Sequence, residues 1–327
     1  MLRLAIGPAT RLPSWRWVGV DTAGELAKYF DVSLFSSFRR IPPVDAVMII
    51  KQRPPLRIAR ALRQGGVKVI FAPIDSYASH AEIHRDRTLL EACDLVLSHS
   101  ELLLQFLRPY CRRVALVEHN ARYMLPELQP YRPDGYVLWV GGLQYVPYLL
   151  DWLARHPLRR AVKILTDIGN PIAAEAARRL ARRLDLALDI GPASINGHEL
   201  SSWSEAEQRR MMQDCKAAID IKGDDFNQLT KPPTKAQKYI ASGIPFACNS
   251  ENSVSRYLRL CGFDVACPLD EDRWFSRDYW QQTRRVAAEL RERVSLESVG
   301  RCFRGELLSL WDRGDGLAVG SASLIPG

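Results

Sequence analysis

The segment from Lys231 to Cys248 places lysines, a helix start and a glycine stop in an order suited to holding a phosphate. Pro232 and Pro233 are excluded from a helix interior, Thr234 is suited to cap one, and Lys235 to Ser242 supply two turns that Gly243 closes. The unpaired N–H groups of such a helix start, together with its positive dipole end, attract an anion. Lys231 and Lys235 add full charges at the same place. The alternative is an ordinary capped surface helix with solvated lysines. The phosphate reading is favoured because Lys216, Lys222, Lys231, Lys235 and Lys238 crowd one region, whereas basic positions elsewhere are mostly arginine, as at Arg179, Arg182 and Arg183. Lysine is a flexible point charge and arginine a rigid fork, so the choice has chemical content.

These residues need a scaffold, and the hydrophobic pattern supplies one. Short apolar runs alternate with helical periodicity: strands at Leu2–Gly7, Asp31–Ser37, Ala46–Lys51, Val67–Ile74, Leu95–Ser98 and Val114–Glu118, helices at Val20–Phe30, Leu56–Gln64, Thr88–Cys93 and Glu101–Arg108. Alternation of this kind implies a parallel sheet covered on both faces. It lapses across Arg122 to Gly135, where three prolines forbid a long regular element. It then restarts with strands at Tyr136–Val140, Val162–Thr166, Leu186–Ile190, Ala217–Ile221 and Ile244–Cys248, and a further strand is suggested at Phe263–Cys267. Helices fall at Val146–Ala154, Ile172–Leu184 and Ser204–Asp214. The expectation is an α/β chain of two Rossmann-like domains, 1–132 and 133–275, with C-terminal helices over 276–313 that cross back to pack on the first domain, and a tail over 314–327.

In open parallel sheets, ligands lie beyond the carboxyl ends of the strands. That rule selects Gly141-Gly142, whose lack of side chains permits close approach and amide donation to a diphosphate, or simply a tight turn. It also selects Gly7-Pro8, Asp75 and His119. A carboxylate at Asp75 can hold a hydroxyl, and a neutral imidazole at His119 can hydrogen-bond a substrate or accept a proton. Equally, Asp75 can cap the next segment and His119 can be a loop residue. His80, Glu118 and Asn120 are further candidates, and Asp21 is a similar but weaker case that also fits as a helix cap.

Composition narrows the class. The 327 residues are 47% hydrophobic and 25% charged, ordinary for a globular protein and long for a single core. No run reaches the roughly 18 apolar residues of a membrane span, and the start reads as a strand and not a signal peptide, so the expected location is cytoplasmic. The seven cysteines show neither CxxC pairs nor zinc spacing with histidine, and no metal is expected. A net charge of +8 suits acidic partners. Nucleic acid is not among those expected, because no binding motif or interleaved aromatics accompany the charge. The arginines of Arg57–Arg63 and Ala173–Arg183 fall at helical spacing and fit either solvated faces or peripheral contact with an anionic membrane surface.

The run Pro233-Thr-Lys-Ala-Gln-Lys-Tyr-Ile-Ala-Ser-Gly-Ile-Pro245 resembles the donor-site signature of GT-B glycosyltransferases of the family 4 type: Pro-Ser/Thr-Lys, two residues, Glu-Tyr-Met-Ala, one residue, Gly-x-Pro. Lys238 stands where that family usually has a ribose-binding glutamate. The resemblance implies transfer of a sugar from a nucleoside diphosphate sugar, as co-substrate, to a glycan, lipid-linked or small-molecule acceptor in the interdomain cleft, with retention and without a metal. It implies leaving-group stabilisation by Lys231, Lys235 and the helix start that Thr234 opens, and places Asp224 and Asp225 near the transferred sugar. The loop Gly191 to Glu199, with Asn196, falls where similar enzymes hold the nucleobase; it equally reads as a connection rich in turn formers, with His198 a surface residue and Trp203 a packing one. Two other readings stay open: an epimerase, and a non-catalytic relative that binds a nucleotide, glycan or protein partner, the latter because of Lys238.

Overall fold

The structure is a computed structural model that describes residues 1–12, 14–249 and 251–312. The tail expected from Gly314 lies outside them. Six parallel strands, β1 (Arg3–Gly7), β2 (Asp31–Leu34), β3 (Ala46–Ile50), β4 (Lys68–Ala72), β5 (Leu95–Ser98) and β6 (Val114–Leu116), form the first sheet in the order β2-β1-β3-β4-β5-β6. The second sheet, from β7 (Val137–Val140), β8 (Val162–Thr166), β9 (Ser194–Ile195), β10 (His198–Ser202), β11 (Ala217–Asp220) and β12 (Phe246–Cys248), has the order β12-β11-β7-β8-β10-β9. Every pairing is parallel except that of β9 with β10.

The central strands are apolar on both sides because both sides are covered. Ala46 to Ile50 of β3 are all buried. On one face, Val47, Ile49 and Phe71 meet Ala59, Ile83, Leu89 and Leu103 of the intervening helices. On the other, Leu4, Met48 and Ile70 meet Val18, Leu26, Val299, Phe303 and Leu307. The last three belong to the helix Leu296–Leu308, which therefore completes the core of the first domain from the far end of the chain. The preceding helix, Arg277–Arg293, does not cross: Tyr279 and Leu290 lie in the core of the second domain, and the Tyr279 hydroxyl donates to Phe246 O at 2.7 Å. Of the two C-terminal helices expected to cross, one does. Gly300 lets it approach, since a Cβ there would lie 2.1 Å from Glu25 Cγ.

Three other expectations change. The helix expected over Val20–Phe30 is a π-helical stretch, Trp15–Asp21, running into a short α-helix, Thr22–Leu26. The strand expected at Leu186–Ile190 is not formed; β10 takes its place beside β8. At Phe263–Cys267 there is only an isolated bridge, Ala247 to Ala266. The proline-containing connection is not a free linker either. Leu125 joins the second core, and the Gln129 side-chain amide donates to Met212 O at 2.8 Å and to Cys215 O at 2.7 Å. Among the described residues, no helix is long and apolar enough to cross a membrane.

Candidate functional site

The carboxyl ends of β7, β8, β10 and β11 bring Gly141, Thr166, Trp203 and Lys222 to one edge of the second sheet. The helix Thr234–Ala241 leads from β11 to β12, so its amino end is at that edge. Asp220, the last residue of β11, is fully buried and meets two lysines: Lys235 Nζ lies 2.8 Å from Oδ1, and Lys222 Nζ lies 2.8 Å from Oδ2. Burial raises the Asp220 carboxyl, but Lys222 and Lys235 more than offset this and hold it down at about 2. Burial pushes Lys235 down to about 8 against the pull of Asp220. Its ammonium also rests 4.6 Å from the Trp139 ring centroid. Lys231 is likewise pushed down to about 8 by burial, with Lys222 adding to the shift, and its Nζ sits 3.4 Å from the Tyr145 ring centroid. A single fully buried carboxylate thus faces a group of lysines, which leaves the site cationic.

Gly141 is required where it stands: a Cβ would come within 2.6 Å of Trp139 and 2.9 Å of Lys235 Nζ. Its own N–H is engaged with Leu165 O at 3.2 Å, so the expectation of two donating amides narrows to that of Gly142. Thr234 is not a cap. It is the first residue of the helix, Pro233 holds the cap position, and no side chain caps the end.

Lys238 shares with Trp203 a single acceptor, Gln208 Oε1. It is buried beside Gln208, with Nζ 3.2 Å from Oε1, and burial pushes it down to about 7, with Lys235 adding to the shift. Asp225 is committed to structure, capping the turn Phe226–Leu229 through Gln228 N–H and accepting from Tyr148 Oη at 2.5 Å. Asp224 is exposed. Asn196 is removed from the site altogether. It sits in the β9–β10 turn with φ of 46°, accepts from Asp189 N and donates to Ala187 O. Because β10 runs parallel to β8 and starts after this turn, the loop Gly191 to Glu199 lies at the amino ends of the strands, opposite the cleft. The residue that β10 delivers to the carboxyl edge is Trp203, exposed, in edge-to-face contact with Tyr123 at 5.6 Å, its indole N–H held by Gln208 at 3.0 Å.

From the first domain come Asp75 and two histidines. Asp75 follows β4 with φ of 49°, and Lys51 follows β3 with φ of 64°; their charged ends are 3.5 Å apart. Two non-glycine residues in this conformation side by side mark a strained edge of the kind found at functional sites. Burial raises the Asp75 carboxyl, but Lys231, His99, Lys51 and His119 outweigh it and hold it below the usual range. Lys231 belongs to the second domain, so the influence crosses the cleft. His119 is buried, its ring tilted against that of His99 with centroids 5.5 Å apart; burial and His99 push it down to about 3, leaving it a neutral imidazole. Sequence reasoning missed Lys51 and His99, although both follow apolar runs by the rule that found Asp75. His99 Nε2 and the Ser100 hydroxyl meet Thr230 O at 3.2 and 2.8 Å, so the first domain grips the residue before Lys231.

The other candidates are structural. Glu118 accepts from Arg293 Nε at 2.7 Å, Tyr257 Oη at 2.8 Å and Gln237 Nε2 at 3.1 Å. Asp21 pairs with Arg122 at 3.3 Å and makes no cap bond. His80 packs against Phe106 and Tyr110.

No family model and no curated protein matches the sequence. Solved structures do match in fold. The structure described as "Trehalose-6-phosphate from E. coli bound with UDP-2-fluoro glucose" is 12% identical with a TM-score of 0.58, covering 93% of this chain and 98% of its own. AviGT4, a glycosyltransferase involved in avilamycin A biosynthesis, is 10% identical with a TM-score of 0.55, covering 95% and 98%. An α,α-trehalose-6-phosphate synthase from Burkholderia multivorans is 12% identical with a TM-score of 0.54, covering 84% and 72%. The chain has the two-domain, Rossmann-like GT-B fold.

Proposed function

We propose that this chain is a glycosyltransferase that moves a sugar from a nucleoside diphosphate sugar to a glycan, lipid-linked or small-molecule acceptor in the cleft, with retention at the anomeric carbon. The observation that supports it most is the group Lys222, Lys231 and Lys235 around the single buried carboxylate Asp220, under Gly141 and at the amino end of an eight-residue helix. Lys235 and Lys231 receive the diphosphate, the Gly142 amide and the helix end assist, and charge developing on the leaving phosphate meets fixed cations already in place. With the lysines in that role, transfer proceeds without a divalent cation, and turnover survives chelation. Trp203 and Tyr123 offer the base a face on which to stack. Asp75 holds the acceptor hydroxyl, and neutral His119 hydrogen-bonds the transferred sugar.

The test is thermal stabilisation by UDP, GDP, CMP, dTDP and their sugars, with UDP first because a structure of the same fold is described as bound with UDP-2-fluoro glucose. A ligand at a hundred times its dissociation constant stabilises by about 2.7 kcal/mol, a shift of a few degrees. Stabilisation in the wild type and its loss in Lys235→Ala support the site; no stabilisation by any nucleotide rejects it. Lys238 favours a second reading, a relative that binds a nucleotide, glycan or protein partner without turnover, since it offers no carboxylate to a ribose. Nucleotide binding without product across the donor panel would select that one.

A further inference from the structure

Among the described residues some surface arginines are paired, as Arg155 with Asp151 and Arg210 with Glu207, and others meet no carboxylate. A group of the second kind surrounds the helix Leu56–Gln64 of the first domain. Arg39, Arg57, Arg60 and Arg112 are exposed and, among the described residues, hold no carboxylate. They line two concavities that the helix separates. On one side Arg60, Arg63 and Arg112 wall a cavity of about 490 Å³, where Glu91 is the one acid and Arg63 is tied to Asp94 just beyond. On the other, Arg39 and Arg57 rim a groove of about 550 Å³ lined by Phe38, Ile41, Ile58 and Leu62.

We propose that this face docks the chain on an anionic lipid surface, with phosphate headgroups in the arginine-walled cavity and lipid hydrocarbon against the apolar groove. A cationic groove and an apolar one, a helix width apart, match the two parts of a phospholipid. A nucleic acid would call for rings interleaved with the arginines, and Phe38 is the one aromatic residue lining either concavity. Position agrees. Gly65 and Val67 precede β4 and Arg112 precedes β6, so the patch extends to the amino ends of the strands and leaves the cleft at the carboxyl ends open. The proposal does not depend on the reading of the cleft.

The experiment is flotation of the full chain with vesicles of phosphatidylcholine alone and of phosphatidylcholine mixed with phosphatidylglycerol, at low and physiological salt. Each arginine near an anionic surface contributes about fivefold to binding and is screened by salt. Expected are binding to the mixed vesicles only, weakening with salt, and a loss of roughly 25-fold or more in Arg57→Glu/Arg60→Glu, since the same per-residue factor counts only removal of each charge and reversal adds to it. Arg179→Glu/Arg182→Glu, on another arginine-bearing helix, should bind as wild type. Arg112→Glu, outside the helix, gives the same answer with a smaller loss should the double variant fail to fold. Equal binding to neutral vesicles, full binding by the patch variants, or capture of a homopolymeric RNA in place of vesicles would each overturn the proposal.

Discussion

Lys235 Nζ is 2.8 Å from Asp220 Oδ1, and on the other side of the same carboxyl group Lys222 Nζ is 2.8 Å from Oδ2. A carboxylate buried this fully is stable as an anion because two cations lie against it, Lys222 buried with it and Lys235 partly exposed. Asp220→Asn leaves the buried Lys222 with no counter-charge, and breaking such a grouping costs about 3–5 kcal/mol. Urea unfolding at neutral pH measures this. The Asp220 carboxyl lies at about 2 when folded against an ordinary 3.8. Its contribution is therefore complete above about 3.8 and falls as pH drops toward 2, a loss Asp220→Asn should not show.

Lys238 gives a pH dependence of the same sign in a higher window. Its folded value is about 7 and that of Lys231 and Lys235 about 8, against an ordinary 10.5. Between these values the unfolded chain binds more protons than the folded one, so stability rises with pH from about 7 upward. Above 9 the buried thiols Cys93, Cys215 and Cys248, whose values burial raises, work against this, so the window to examine is pH 7 to 9. Lys238→Met keeps the volume, removes a buried charge with no carboxylate beside it, and leaves Gln208 its bond from Trp203. We expect stabilisation on the order of 1 kcal/mol at pH 7 and a flatter slope to pH 9, read by chemical unfolding.

Glu118 is where the two domains are fastened. It ends the first domain's last strand region and meets Arg293, Tyr257 and Gln237 from three helices of the second. Glu118→Ala removes the acceptor for all three and strands the buried Tyr257 hydroxyl and Gln237 amide, at an expected cost of about 2–4 kcal/mol. Denaturant unfolding should then separate into two transitions, one per domain, where the wild type shows one. A single unshifted transition would remove the fastening role.

The two-sheet architecture was legible because strands buried on both faces read as short apolar runs, and Ala46–Ile50 or Val137–Val140 have no other reading. The lysine site was legible because Pro232, Pro233 and Gly243 bracket the helix that carries Lys235. The second domain's edge was not. Residues Leu186–Ile190 are apolar enough for a strand, yet the chain turns at Asn196-Gly197 and sends the more polar His198–Ser202 into the sheet, as an edge position permits. That single displacement moved the expected base loop to the wrong end. Partners distant in sequence, such as Glu118 with Arg293 or His99 with Thr230, leave no local signal. The crossing helix and its predecessor are both amphipathic, so which core each enters was not readable from pattern alone.

That displacement separates two residues by experiment. Asn196 occupies a left-handed position in a turn with Gly197, whose φ is 80°, and bonds Ala187 and Asp189; Asn196→Ala should cost about 1 kcal/mol of stability through lost bonds and strain. It should leave nucleotide affinity unchanged, because the turn is at the amino ends of the strands. Trp203 is exposed at the carboxyl edge, with its indole N–H fixed by Gln208 and its ring against Tyr123. Removal of a ring on which a base stacks costs about 1–3 kcal/mol, so Trp203→Ala should weaken binding of the preferred nucleoside diphosphate roughly 5- to 150-fold with little change in melting temperature. Isothermal titration of both variants decides the matter. Weakened binding in Asn196→Ala with normal binding in Trp203→Ala would put the base elsewhere than on the aromatic pair.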